Sequence, residues 1–364
     1  MVGDILVVMT ENIAHLRLIN QSIAAPRLSN PVDVVRLLGA VQAQDYGQSL
    51  WAIGLRMKNA TLVDVLGAIE SGKILRTWPM RGTIHFVPAE DAKWMVGLTG
   101  ERTLRAARAR HDGLDLSDKV FVRAEALLRR ELEGGKRLAR PALMKLLDDN
   151  GIATQNQRGY HILWTLALRG VLCIGPMEGK QQTYALLDEW APHAVQLQRD
   201  EALGELAKRY FSGHGPATLA DFATWAGQPQ RDATIGLEIA KSGLTSIKMN
   251  GKEYWLGRNT REASKQSLEA TYLLAGFEEY VLGYKDRSDI IAPQDAAQFY
   301  INGIFFPIIV RDGRAIGVWR RTISAKNIKV RIAPFESFSP AIMAETHAQA
   351  AIYGEFMGLP IVFE

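Results

Sequence analysis

The chain has 364 residues, 47% hydrophobic and 23% charged, a balance that buries a core and excludes a disordered polypeptide. No apolar run approaches the ~20 residues of a membrane-spanning helix, and the early run Ile5-Leu6-Val7-Val8-Met9, preceded by Asp4, is too short for a secretory signal, so a cytoplasmic protein is expected. A net charge of +4 excludes nothing by itself, whereas a single cysteine, Cys173, excludes an internal disulfide framework and a cysteine-rich zinc site.

In chain order, Val34, Leu37, Leu38 and Val41 predict a first helix. Leu62, Val65, Leu66 and Ile69 follow the i, i+3, i+4, i+7 rule and predict another. Thr61 is placed as its N-cap, with Asp64 three residues on and Gly72 as its stop. Two strands follow, over 74–76 and 83–87, separated by Trp78-Pro79-Met80-Arg81-Gly82. The order of helices followed by a two-stranded wing then returns. Leu143, Leu146 and Leu147 mark a helix closed by Asn150-Gly151. A helix over 157–169 precedes a hairpin of 171–174 with 182–186, in which Cys173 reads as a buried strand residue. A third round has a helix through Leu203, Leu206, Ala207 and Tyr210, and a second over 219–226 capped by Thr218 with Asp221. A further helix leads to the hairpin turn Asn250-Gly251-Lys252. From about Ser264 the pattern changes. The aromatic, acidic segment Phe277-Glu278-Glu279-Tyr280 is followed by strands over 308–310 and 316–319 about the turn Asp312-Gly313, and by a closing helix over 340–357. The fold class expected is α+β. Three tandem winged helix-turn-helix units (1–100, 101–190 and 191–262) precede a β-rich C-terminal region, 263–364.

The positive charge is concentrated. Between positions 311 and 331 stand seven bases (Arg311, Arg314, Arg320, Arg321, Lys326, Lys329, Arg331) against Asp312 alone, a local +6 that leaves −2 for the rest of the chain. Lys and Arg displacing counterions from phosphates supply most sequence-independent DNA affinity, so a polyanion partner is one reading and a solvated hairpin face the other. Arg102, Arg105, Arg108 and Arg110 form a second such stripe, open to the same two readings. A winged helix lays a helix in the major groove and its wing on backbone or minor groove, so duplex DNA is the partner expected.

Several chemistries lack their motifs. There is no GxxxxGK[ST] loop (175–180 is one residue short), no GxGxxG after a strand, no GxSxG elbow, and the seven histidines have no metal spacing such as HExxH. No metal and no cofactor are expected. Any reaction must use polar side chains and water. Gln42-Ala43-Gln44-Asp45 stands out, because alternation puts Gln42 and Gln44 on one side of an extended segment. Paired amides facing one cavity need partners, and a water or ligand supplies them. The competing reading makes Asp45 a helix cap with both glutamines solvated.

These residues carry a resemblance. Gln42-Ala43-Gln44 matches a Gln–apolar–Gln motif. With it go Trp78-Pro79-Met80-Arg81-Gly82-Thr83-Ile84-His85, Gly215-Pro216-Ala217-Thr218 with Asp221-Phe222 and Trp225, Glu279-Tyr280, Leu282-Gly283-Tyr284-Lys285-Asp286-Arg287, and Trp319-Arg320-Arg321. Over nearly its whole length the chain resembles the winged-helix DNA glycosylases of the azinomycin-resistance and YcaQ-like type. The resemblance implies three tandem winged helices around a DNA-sized channel. It also implies a monofunctional, monomeric glycosylase that removes N-alkylated purines, cationic at N7 or N3, from double-stranded DNA, interstrand crosslinks included. Gln42 and Gln44 are implied as the catalytic pair that holds the hydrolytic water near C1′. Arg81, Lys285, Arg287, Arg314, Arg320, Arg321, Lys326 and Lys329 are the DNA contacts expected. Glu278 departs from the aspartate usual in relatives, which leaves its role open. A noncatalytic winged-helix DNA-binding regulator is the alternative on the sequence alone.

Overall fold

A computed structural model describes residues 12–24, 26–258 and 265–364, and the early run at 5–9 lies outside them. Three successive segments each fold as a set of helices followed by an antiparallel hairpin. In the first, helices Pro31–Leu38, Tyr46–Gly54 and Leu62–Glu70 lead to strands Ile74–Met80 and Thr83–Pro88. In the second, Asp118–Leu132, Arg140–Asp149 and Arg158–Leu168 lead to Leu172–Glu178 and Gln181–Leu186. In the third, Arg199–His214, Leu219–Ala226 and Gln230–Ala240 lead to Leu244–Met249 and Lys252–Gly257.

The caps expected from sequence are present. Thr61 and Thr218 each accept from the backbone N–H of the aspartate three residues on, and that carboxylate returns a bond to the cap's own N–H. Gly39 and Gly227, both at positive φ, end their helices. Two expectations need correction. Val41 is not the last turn of the first helix, which stops at Leu38, but the start of a short strand, Val41–Gln42. The first wing strand runs on through Trp78, Pro79 and Met80, with an irregular register between Thr77 and Met80, so that Arg81-Gly82 alone makes the turn.

Between its first two helices each segment sends a short extended piece back onto its own hairpin. Gln42 pairs with His85, Ala139 with Thr183, and Ala217 with Trp255. The first two hairpins then join edge to edge through Arg76 and Ile174 into one six-stranded sheet. The chain ends in a five-stranded sheet, ordered Ile361–Phe363, Ile328–Pro334, Arg314–Ile323, Ile308–Arg311 and Thr271–Leu273, whose first pair is parallel. The helix Pro340–Met357 supplies Tyr353, whose ring lies edge-on to Trp51 at 5.1 Å and to Trp319 at 5.2 Å. One apolar core thus joins the first and third segments to this sheet, while the second segment packs largely on a core of its own. Among the described residues no helix is long and apolar enough to cross a membrane.

Candidate active site

The strand Val41–Gln42 fixes the motif. Val41 and Ala43, each 1% exposed, sink into the core on either side of Gln42, and Gln44 follows in a bend beyond the strand. The two amides occupy unequal settings, Gln42 at 8% exposure and Gln44 in solvent. Asp45 does cap the next helix, accepting the Gln48 N–H at 3.0 Å as the competing reading expects, but of the two glutamines only Gln44 is solvated.

Behind Gln42 stands a carboxylate that spacing does not reveal. Glu279 Oε1 accepts the backbone N–H of Gln42 at 3.1 Å. Its Oε2 accepts the Trp225 indole N–H at 2.8 Å and lies 3.4 Å from His214 Nε2. Burial alone would raise the Glu279 pKa, but the hydrogen-bonded His214 and the Arg81 guanidinium outweigh it and hold the group at about 2. The approach to Glu279 is pinned on several sides. Trp51 and Trp319 donate to the carbonyls of Leu273 and Leu274, both at 2.8 Å, and Gln48 Oε1 accepts the Gly276 N–H at 3.1 Å. Phe277 then takes a positive φ of 54°, a conformation that a bulky residue adopts when its surroundings impose it. Glu278 meets the buried Arg56 guanidinium at 2.5 Å, which gives this residue an anchoring place in the fold.

Arg81, expected on DNA, sends its bonds inward. Its guanidinium donates to the Trp225 carbonyl, to Gln42 Oε1 at 3.2 Å and to His85 Nε2 at 3.1 Å. Since guanidinium only donates, His85 must accept at Nε2, and its Nδ1–H donates to the Thr83 carbonyl at 2.9 Å. Burial first, then the Arg81 charge, press the His85 pKa down to about 3, so the ring is neutral. Burial and the neighbouring Arg287 charge also lower the Arg81 pKa against the pull of Glu279.

The other expected contacts divide by face. Arg320 stands opposite Arg331 in register, exposed, with its guanidinium 5.1 Å from the Phe306 ring centre. Lys329 shares that face and pairs with Glu364 at 3.0 Å, while Arg314 and Lys326 are exposed at the two ends of the strand pair. Arg321 points to the opposite face. It lies 5.6 Å from the Tyr353 ring centre and so close to Gly47 that a Cβ there would come within 2.9 Å of its Nη2, which brings a cation to the Gln44 loop. Lys285 is exposed. Arg287 is half-buried, donating to the Val281 carbonyl at 3.0 Å with its guanidinium beside Phe305. Arg311, counted in the basic segment, is neutralised by Glu345. In the second stripe Arg102 bonds Gln228 and the Gly227 carbonyl, and Arg110 bonds Gln157 at 2.9 Å. Among the described residues no cluster of His, Cys, Asp and Glu has the shape of a metal site.

The sequence model of the family described as "DNA glycosylase AlkZ-like" matches residues 35–356. The chain is 29% identical over 309 residues to the "Interstrand DNA cross-link repair glycosylase" of Streptomyces sahachiroi, covering 79% of this chain and 81% of that protein. The solved structure of "Streptomyces sahachiroi DNA glycosylase AlkZ" superposes with a TM-score of 0.77 at 23% identity, over 96% of this chain and 98% of that one, and so shares its fold. The chain belongs to the AlkZ-like DNA glycosylase family and is an enzyme of that class.

Proposed function

We propose that this enzyme hydrolyses the N-glycosidic bond of purines made cationic by alkylation at N7 or N3 in duplex DNA, crosslinked and bulky adducts included. In this reading three winged-helix units, 1–100, 101–190 and 191–262, and the β-rich end, 263–364, act as a cytoplasmic monomer. The observation that supports the chemistry is Gln42 on a short strand whose backbone N–H is held by the buried Glu279 carboxylate, with Gln44 exposed two residues on. At the matching place the second and third segments carry Ala139 and Ala217, so packing does not require a long amide there.

The chemistry asked of two amides is modest. An alkylated purine leaves when the C1′–N bond breaks and its electron pair neutralises the ring's charge. The sugar becomes an oxocarbenium ion, water oxygen bonds to C1′, and the water's proton passes to solvent. A cationic leaving group needs little general acid, so the enzyme contributes orientation of the water and a fitted polar environment. A glutamine is too weak a base to ionise water but orients it well. A neutral, undamaged purine would stay in place under such mild assistance, which builds selectivity for damage into the site.

Arg314, Arg320, Lys326 and Lys329, with Arg321 and Arg287 nearer the motif and Lys285 beyond, are the cations assigned to the duplex. The test is release of 7-methylguanine from alkylated duplex by the Gln42→Ala plus Gln44→Ala double variant at saturating enzyme. The variant is expected to bind DNA and to lose release, and undiminished release removes the assignment.

A further inference from the structure

Five two-residue hairpin turns occur among the described residues, and each begins on a residue at positive φ. Four begin on Gly179, Asn250, Asn302 and Asp312, residue types that tolerate the left-handed region. The fifth begins on Arg81, at φ 53°, where the turn itself would favour glycine, asparagine or aspartate. An arginine kept at such a place is accounted for by its side chain. Room has been left for it as well. Gly227, at φ 59°, has no Cβ, and one placed there would stand 3.0 Å from Arg81 Cγ.

The end of that side chain lies among acceptors: the Trp225 carbonyl, His85 Nε2 and Gln42 Oε1. This decides how the Gln42 amide lies. A guanidinium has donors alone, so the amide atom that faces it must be oxygen, because a flip would set NH2 against NH2. The Nε2 end is thereby turned away from Arg81, makes no hydrogen bond within the described residues, and is not among the sealed, unpaired polar atoms, so it keeps access to solvent. Gln44, exposed and without a bond to the described protein atoms, is free to turn either end to a ligand.

We propose that Arg81 is a positioning residue that locks Gln42 with its oxygen inward, so that Gln42 serves the reaction as a hydrogen-bond donor and Gln44 as the acceptor that orients the attacking water. The proposal rests on the amide pair being catalytic. It divides the labour between two residues of the same type. The Gln42 NH2 group holds an oxygen, that of the water or of the deoxyribose beside it. The Gln44 carbonyl oxygen takes the water's O–H and so aims its lone pair at C1′. Arg81 touches neither and acts through the Gln42 amide alone.

The experiment is a single-turnover measurement of 7-methylguanine release at saturating enzyme, with duplex affinity and its salt dependence measured alongside, for Q42E, Q44E and Arg81→Met. In Q42E the new carboxylate is accommodated as an ion pair with Arg81 but has no donor while ionised, and loss of one oriented donor corresponds to a fall of about 100-fold or more at neutral pH. The carboxylate of Q44E keeps its acceptors, so this variant is expected to be the faster of the two by about 100-fold and to gain activity as pH rises through carboxylate titration near about 4.3. Arg81→Met is expected to lower the saturating rate constant while leaving affinity and salt slope as they were. Arg81→Lys, which restores a donor, recovers part of the loss. Thermal melts of each variant separate these effects from unfolding. A faster Q42E than Q44E overturns the division of labour. An Arg81→Met enzyme with an intact saturating rate constant but weaker, less salt-sensitive binding overturns the positioning role and makes Arg81 a phosphate contact. Failure of the underlying catalytic reading looks different from both, because then the Gln42, Gln44 double alanine variant releases the base at full rate.

Discussion

Arg56 and Glu278 meet at 2.5 Å with neither side chain reaching solvent, and they form a buried ion pair that locks the chain immediately ahead of Glu279. The pair is knitted into its surroundings. Arg56 also donates to Gln21 Oε1 at 2.9 Å and to the Ala52 carbonyl at 2.7 Å, Gln21 Nε2 donates to the Tyr284 hydroxyl at 3.0 Å, and that hydroxyl donates to the His214 carbonyl at 2.6 Å. Together these bonds tie the first helices to the segment that carries Glu279.

Removing one member of a buried pair strands the other, at about 3–5 kcal/mol. Glu278→Ala is therefore expected to lose stability in that range in urea denaturation and, at temperatures where it remains folded, to release alkylated base more slowly because Glu279 is no longer held behind Gln42. A loss below about 1 kcal/mol would show that Arg56 finds another partner.

Stability should fall in acid through two groups of the site. His85 takes up a proton near pH 6.5 in the unfolded chain and near 3 in the folded one, so between those values the unfolded state binds more protons and acid favours it. Glu279 works in the same direction over a lower window, between 4.5 unfolded and about 2 folded. The His85 contribution is present in full above pH 6.5 and declines by at most about 1.4 kcal/mol per pH unit below it. Comparing urea midpoints of the wild type and His85→Gln from about pH 7.5 to 5 checks this. The stability difference between them is expected to shift against the wild type as the solution is acidified, and a constant difference would mean that His85 is not held neutral.

Arg320 and Arg311 belong to the same basic stretch but should respond in opposite ways. Arg320 is exposed beside Arg331 with no acidic partner among the described residues, whereas Arg311 is balanced by Glu345. Arg320→Ala is expected to weaken binding to any duplex and to reduce the slope of log affinity against log salt by about 0.9. Arg311→Ala should keep the slope and lose at most about 1 kcal/mol of stability, as expected of a half-exposed pair. Equal salt slopes for the two variants would remove the assignment of this strand pair to DNA.

Much of the scaffold is legible because its signals are local. The helix Leu62–Glu70 shows in the spacing of its apolar residues and in the Thr61–Asp64 pair, and the turn at Asn250-Gly251 declares a hairpin without help from elsewhere. The departure at Val41 has a local cause too. Three apolar residues at helical spacing continue in phase onto a fourth, and Gly39 breaks the helix between them. The strand through Trp78-Pro79-Met80 is hidden because proline argues against a regular ladder, and an irregular register accommodates it.

The site is half legible. Gln42 and Gln44 stand out by their alternation in an apolar setting. The bond from Gln42 to Glu279 spans 237 residues, and no periodicity or spacing reports it. Arg81 reads by its charge as a DNA contact. Its inward course depends on acceptors from Gln42, His85 and the far helix that ends at Ala226, and these assemble in the fold alone.

Cys173 sits fully buried in the strand Leu172–Glu178, one residue from the Ile174 that joins the first two hairpins through Arg76, and burial raises its pKa so that the reactive thiolate is scarce. Because the sequence has no second cysteine, a thiol reagent added to the native enzyme reports on the exposure of that one buried strand position. The same seclusion leaves the surface without a thiol, so a cysteine introduced at Gln44 or beside Arg320 would take a thiol-directed fluorophore alone and report DNA engagement without any prior removal of native thiols.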